Sequence, residues 1–324
     1  RKACKARMNA AVAPPTVGDA RAAAARIAPY VKRTPIITRG NLVYKAEFQQ
    51  VTGSFKPRGA FNAALQLSED ARQRGLVAVS GGNHGLAVAH VGRRLGIRAT
   101  VLMPNSTPGW MVERARADDA EVLLFESIGM AFAEMEARTK AGQTPLHPFD
   151  DPHVMAGQAT IALELDEDIS DIAQVVVSIG GGGLIGGIAA VIKALRPGVR
   201  VYGVETAGAD AMRKALDAGR PVTLPGITSI ARTLGAPSVS ARTLAVTRSL
   251  VDEVVTVSDA QAVRSLLELR DELGVDVEPA SSCTHAALSA GMIPTPSSGR
   301  SVLILCGSNV GRDEIETWRA RFAL

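Results

Sequence analysis

The chain has 324 residues, 46% of them hydrophobic, 21% charged and 4% aromatic, with a net charge of +4. This is a globular balance, large enough for one large or two medium domains, and it excludes a disordered chain or a strongly charged nucleic-acid binder. Three cysteines, Cys4, Cys283 and Cys306, have neither a disulfide framework nor zinc spacing, which points to a reducing, cytoplasmic setting.

Arg1, Lys2, Lys5 and Arg7 form the one local basic excess. No aromatic interleaving follows it, so it reads as a solvated tail rather than a nucleic-acid arm. No apolar run follows these charges, so no secretory leader is expected. Val77-Ala78-Val79-Ser80 reads as a strand that ends in Gly81-Gly82-Asn83, with a helix to about Leu95. Ala99 to Met103 is a second strand, stopped by Pro104, and Glu121 to Phe125 a third, followed by a helix over Ala131 to Lys140. After Pro145-Leu146-His147-Pro148 a second series begins: strand Val175–Ile179, helix Leu184–Leu195 and strand Val201–Glu205. Strand Val254–Val257 follows, then Ser258 as N-cap of a helix to about Leu273, and strand Ser301–Cys306. Strands alternating with helices are the pattern of parallel α/β sheets. The two series predict two α/β domains with a cleft between them, where a cofactor would sit. Ile172 to Ile192 carries no charge, but its six glycines make it strand, loop and buried helix rather than a membrane span.

Four segments carry candidate chemistry. Gly180-Gly181-Gly182-Gly183 lies between a strand and a helix. Convergent N–H groups and a helix N-terminus suit an anion such as a phosphate; close packing is the plain alternative. Gly181, Gly183 and Gly186 also fit G-x-G-x-x-G, with Glu205 at the end of the next strand, so on this segment alone a dinucleotide site stays open. Lys56, flanked by Phe55, Pro57 and two glycines, fits a constrained cleft-lining turn. A buried lysine loses its charge more readily and becomes a nucleophile and base. Ser80-Gly81-Gly82-Asn83-His84-Gly85 offers N–H groups, a hydroxyl and an amide to a small carboxylate, against ordinary N-capping. Cys306-Gly307-Ser308-Asn309 ends the last strand, where α/β sheets place ligands; alone, Cys306 reads as a core thiol. His90, His147, His153 and His285 show no ligand spacing.

Together these segments resemble the serine/threonine dehydratase family of pyridoxal 5′-phosphate (PLP) enzymes, within the tryptophan-synthase-β fold, or fold type II. The resemblance runs from about Thr34 to Asn309 and rests on Ser54 to Gly59, Ser80 to Asn83, Gly180 to Gly183 and Cys306 to Asn309. Pro148-Phe149-Asp150-Asp151-Pro152, Glu205 to Ala209 and Leu224 to Ser229 support it. It implies two open, twisted, parallel-type sheets with flanking helices. Residues 1–56 and 147–324 would form a large PLP-binding domain and 57–146 a small one, in a chain expected to form a homodimer. Lys56 would hold PLP as a Schiff base and, once freed, take the Cα proton. Phe55 would lie against the pyridine ring, Asn83 would meet its hydroxyl, Gly180 to Gly183 its phosphate and Cys306 its nitrogen. Ser80, Gly81, Asn83 and His84 would receive the substrate carboxylate.

The implied reaction is loss of the β-hydroxyl from L-threonine, L-serine or a bulkier analogue such as threo-3-phenylserine or 3-hydroxyaspartate, giving a 2-oxo acid and ammonia. Glu205, Ala209, Leu234 and Ala236 stand where relatives hold a cation. Ala211 replaces the acid of divalent-dependent relatives, which implies a monovalent ion such as potassium, or none. Three departures stand out: Pro57 in place of an aliphatic residue, Gly81 where racemising relatives carry a serine, and a short stretch from Thr34 to Tyr44. The small Gly81 hints at room for a bulky substrate. The end of the chain soon after Asn309 speaks against a regulatory domain. A β-replacement enzyme or racemase on the same cofactor is the alternative; a dinucleotide oxidoreductase is more distant, and a ligand-binding protein without catalysis more distant still. No nucleic-acid or membrane partner is expected.

Overall fold

Among the described residues, short β-branched runs become ten strands: β1 (Ile36–Arg39), β2 (Leu42–Lys45), β3 (Leu76–Val79), β4 (Ala99–Pro104), β5 (Glu121–Phe125), β6 (Thr144–Pro145), β7 (Ile172–Ser178), β8 (Arg200–Thr206), β9 (Glu253–Val257) and β10 (Arg300–Ile304). The computed structural model describes residues 13–324, so the basic cluster Arg1 to Arg7 and Cys4 lie outside the described residues.

One sheet has the order β1-β2-β10-β7-β8-β9 and the other β5-β4-β3-β6. Only β1 and β2 pair antiparallel, from Ile36↔Lys45 to Arg39↔Leu42. Their two-residue turn places Gly40 at φ +57, a conformation that costs glycine little. Every other pair is parallel, with registers such as Val302↔Val43, Val176↔Tyr202, Val204↔Val255 and Val101↔Val122. Parallel neighbours need crossovers, and helices supply them. Both sheets are therefore covered, and β3 and most of β7 are buried on both faces. The charge-free stretch 172–192 is β7, the glycine turn and the helix Gly183–Leu195. Among the described residues no helix is long and apolar enough to cross a membrane.

The strands β3, β4, β5, β7, β8, β9 and β10 and the Ser258-capped helix Asp259–Leu273 stand where the pattern puts them, whereas the pattern does not mark β1, β2 and β6. The lysine motif does not. Lys56 is no turn residue but opens the helix Lys56–Ala64, with Phe55 as N-cap. Pro57 sits in the first helical turn, where its missing N–H would have had no partner anyway.

Two glycine contacts fix this helix. It crosses the helix Pro152–Asp168 so closely that a methyl group on Gly59 would stand 2.7 Å from Val154 O, and one on Gly157 2.6 Å from Gly59 Cα. The helix after the glycine turn leans on that same helix through Gly187, where a methyl would stand 2.5 Å from Met155 O. One long helix thus sets the lysine and the glycine turn relative to each other.

Candidate active site

The loops at the C-terminal ends of the parallel strands meet in one place. The lysine loop is tied to the end of β10 by a bridge between Ser54 and Gly307 and by the Phe55 N–H, which donates to Cys306 O at 3.0 Å. Lys56 Nζ donates to Pro148 O at 3.1 Å and lies 5.1 Å from the Phe55 ring centre. Withdrawal from bulk water pushes its pKa down to about 8, although Cys306 and Glu278 pull it back up. The neutral amine is therefore far more populated near neutrality than in a free lysine, as an imine-forming or proton-accepting lysine requires.

The residue after Pro148 reaches the glycine turn. A methyl group on Gly181 would overlap the Phe149 ring, and one on Gly183 would stand 2.9 Å from Phe149 Cα. Gly182 takes φ +92, and a methyl there would be 2.8 Å from Thr243 Cβ; Gly180 lies against the Leu234 backbone. Close packing thus accounts for the absence of side chains. It does not account for the amides. Among the described residues the N–H groups of Gly180 to Gly183 have no backbone acceptor, and Gly182 caps the next helix without a side chain. Unpaired donors at a helix N-terminus make a phosphate site.

Ser80, Gly81, Asn83 and His84 gather at the end of β3. Ser80 Oγ accepts the Gly82 N–H at 3.2 Å, which leaves its proton free. The helix Asn83–Leu95 begins on Gly82, again without a side-chain cap, so its first N–H groups can meet a carboxylate. His84 differs from the expectation. Its Nε2 lies 2.8 Å from Leu146 O, which can only accept, so Nε2 carries the proton and Nδ1 has none to give. Burial and the nearby Lys56 push its pKa down to about 3. The His84 contribution to a carboxylate is therefore its backbone N–H. The space beside Gly81 is also filled: Thr107 packs where a methyl group would stand, with Pro104 Cδ at 3.1 Å. Gly81 allows two loops to approach and opens no room for a bulky substrate.

Cys306 is 3% exposed, with Ser178 Oγ and Ser281 Oγ each 3.5 Å from its sulfur. Burial pushes its thiol up to about 11, so it stays neutral. Asn83 Nδ2 donates to Glu278 at 2.9 and 3.1 Å. Sequence reading missed Glu278 and Arg114 and gave Pro148 and Phe149 no site role beyond the resemblance; for Glu278 the usable signal was Glu278-Pro279 at a helix start.

The cation candidates scatter in role. Both Glu205 oxygens accept backbone N–H groups, from Met212 at 2.8 Å and Arg213 at 2.7 Å, as a cap on the helix Ala211–Ala218. Burial raises its pKa to about 8. A carboxylate so engaged is not offered to a ribose, which removes the acidic partner a dinucleotide site needs. Ala209 bridges to Thr206, and Ala236 N–H donates to Leu234 O at 2.7 Å. Among the described residues no three His, Cys, Asp or Glu side chains gather as a metal site.

A depressed lysine, an uncapped glycine turn and a neutral thiol on a two-sheet parallel scaffold define a PLP enzyme of fold type II. Known proteins agree. Residues 27–307 match the family model described as pyridoxal-phosphate dependent enzyme, and the chain belongs to that family, within its serine/threonine dehydratase group. It is 38% identical over 271 residues to an L-threonine ammonia-lyase of Geobacter sulfurreducens, covering 83% of this chain and 67% of that one. It is 36% identical over 294 residues to the phenylserine dehydratase of Ralstonia pickettii, covering 88% and 90%. The solved maize serine racemase superposes with a TM-score of 0.87 at 32% identity, covering 96% and 98%; the T.th. threonine deaminase gives 0.85 at 36%, covering 92% and 99%. The chain spans about two thirds of the threonine ammonia-lyases it matches, 67% and 63%.

The Lys56 pKa makes a prediction. Capture of PLP by the apoprotein needs the neutral amine, so its rate should rise with pH through a midpoint near 8 and level off above it. A free lysine, at about 10.4, would still be gaining there. Stopped-flow absorbance across the alkaline range separates the two.

Proposed function

We propose that this chain is a dehydratase that converts a β-hydroxy-α-amino acid to a 2-oxo acid and ammonia, with L-threonine and L-serine as default substrates and threo-3-phenylserine and 3-hydroxyaspartate as bulkier ones. The observation that carries the reading is the Lys56 amine, hydrogen-bonded to Pro148 O on a loop tied to Cys306, together with the uncapped glycine turn. When bound, PLP supplies the electron sink that makes the substrate Cα–H acidic. Gly180 to Gly183 would bind its phosphate through N–H groups, and Phe55 would flank its ring. Asn83 would donate to its ring oxygen. Cys306 would face the ring nitrogen as an uncharged thiol and give it no proton. Ser80 and the N–H groups of Gly81, Asn83 and His84 would hold the substrate carboxylate, and Lys56 would take the Cα proton.

Residues 57–146 would act as the small domain and 1–56 with 147–324 as the large one, in a cytoplasmic homodimer. Cys283 and Cys306, both buried and unpaired, support a reducing compartment. A potassium ion beside Glu205, on the carbonyls of Ala209, Leu234 and Ala236, belongs to the same proposal; the charge of a neighbouring cation would oppose the burial effect that raises the Glu205 pKa.

The test is 2-oxo acid release from those four amino acids by the PLP-loaded protein, in potassium and in tetramethylammonium buffers. Release from any of them supports the dehydratase, and equal rates in both buffers remove the cation. A substituted amino acid or the opposite enantiomer as main product would move the assignment to β-replacement or racemisation. Gly81 places no hydroxyl at its position, so little D-serine is expected.

A further inference from the structure

A chain of hydrogen bonds beside the site has a direction fixed by its ends. Arg114, exposed on the helix Gly109–Ala117, donates through Nη1 to Asn309 Oδ1 at 2.7 Å. A guanidinium has only donors, so the amide atom facing it must be oxygen. Asn309 Nδ2 is then turned the other way, toward the Thr52 carbonyl at 2.9 Å and Asn83 Oδ1 at 2.6 Å. Thr52 O can only accept, which agrees. Asn83 Nδ2 is left to face Glu278. Glu278 also receives the Thr233 hydroxyl at 2.6 Å and the Asn309 N–H at 2.8 Å. Three donor groups converge on its two oxygens, the setting of an acceptor. Turning either amide over would set donor against donor and oxygen against oxygen.

The chain also alternates between the two parts of the fold. Arg114 and Asn83 lie on helices that follow strands of the four-stranded sheet, whereas Asn309 follows β10 of the six-stranded one and Glu278 caps the helix Pro279–Ser289, between β9 and β10. It is complete only when the two sheets stand together.

We propose that Arg114 and Glu278 are positioning residues. From opposite ends they fix the Asn83 amide so that its Nδ2 side, and not its oxygen, is the one presented to the cofactor's ring oxygen. Arg114 does this without touching cofactor or substrate. The inference rests on the assignment of Asn83 to that ring oxygen, and the test separates the two.

The dissociation constant for PLP is measured on the apoprotein of wild type, Asn83→Ala, Arg114→Met and the double variant, with circular dichroism to verify folding. The pH midpoint of the visible absorbance is followed on the loaded proteins. Arg114 is exposed on its helix, so its replacement is compatible with the fold. Asn83→Ala is expected to weaken PLP binding about tenfold and Arg114→Met about fivefold. Arg114→Met should add nothing once Asn83 is absent, because the two act through one path. Both single variants should move the absorbance midpoint in the same direction. An Arg114→Met effect of equal size with and without Asn83, or no effect, overturns the positioning role. Unchanged affinity in Asn83→Ala refutes the Asn83 assignment itself, and the positioning role falls with it. Glu278→Gln should reproduce the Arg114→Met loss of affinity; if it fails to fold, the Arg114 cycle decides alone.

Discussion

Lys56→Ala should reduce 2-oxo acid release by at least about a thousandfold, because it removes both the covalent anchor and the proton acceptor. The fold should survive. The Lys56 ammonium makes one hydrogen bond, to Pro148 O, and burial disfavours its charge, so unfolding should occur at an equal or slightly higher temperature. Lys56→Arg should be equally inactive: a guanidinium keeps its proton and forms no Schiff base. Borohydride reduction followed by mass spectrometry should find PLP on Lys56 in wild type and nowhere in either variant. The same experiment weighs the dinucleotide reading. An oxidoreductase using Gly181, Gly183 and Gly186 would keep most of its activity without Lys56, and more than a few per cent residual activity would be incompatible with PLP chemistry at this residue.

Local pattern was enough for most strands and not for the lysine helix. β4, β5, β7 and β9 are short apolar runs bounded by Pro, Gly or Asp, and alternation with helices makes parallel pairing the natural outcome. Lys56 to Ala64 contains Pro57 and Gly59, both poor helix formers, and reads locally as a turn. Its helicity comes from tertiary contact: Gly59 is needed for the crossing with the helix Pro152–Asp168. The site divides in the same way. Lys56, Asn83, Gly180 to Gly183 and Cys306 sit in short, unusual strings. Arg114 looks like any exposed helical arginine, and Thr107 like any loop threonine, until the fold brings one to Asn309 and the other to Gly81. The Gly81 hint of a roomier pocket failed for that reason: a missing side chain says nothing about which neighbour fills its place.

Arg58 illustrates how the lysine motif is anchored, and its loss should have the largest effect on stability. It is 1% exposed. Its guanidinium donates to both oxygens of Glu47 at 2.8 Å and to those of Glu164 at 2.6 and 3.0 Å, and to Thr160 Oγ1 at 3.1 Å. Lys45 Nζ pairs with Glu164 at 2.5 Å and donates to Thr34 O at 2.6 Å. Two cations and two anions share one buried cluster, and the carboxylates hold the Arg58 pKa above its ordinary range against the opposing effect of burial. Arg58→Met leaves Glu164 paired with Lys45 and Glu47 with no cation, one buried charge uncompensated. The expected cost is about 3–5 kcal/mol, as for other buried pairs that lose one partner. Arg58→Lys restores the charge but not the fork that reaches both carboxylates, so it should recover only part of that loss. Urea unfolding of the two variants measures both losses. A variant as stable as wild type at neutral pH would mean that the cluster does not hold this helix. A variant that stays folded but traps less PLP would tie the same four charges to the placement of Lys56, two residues away on the same turn.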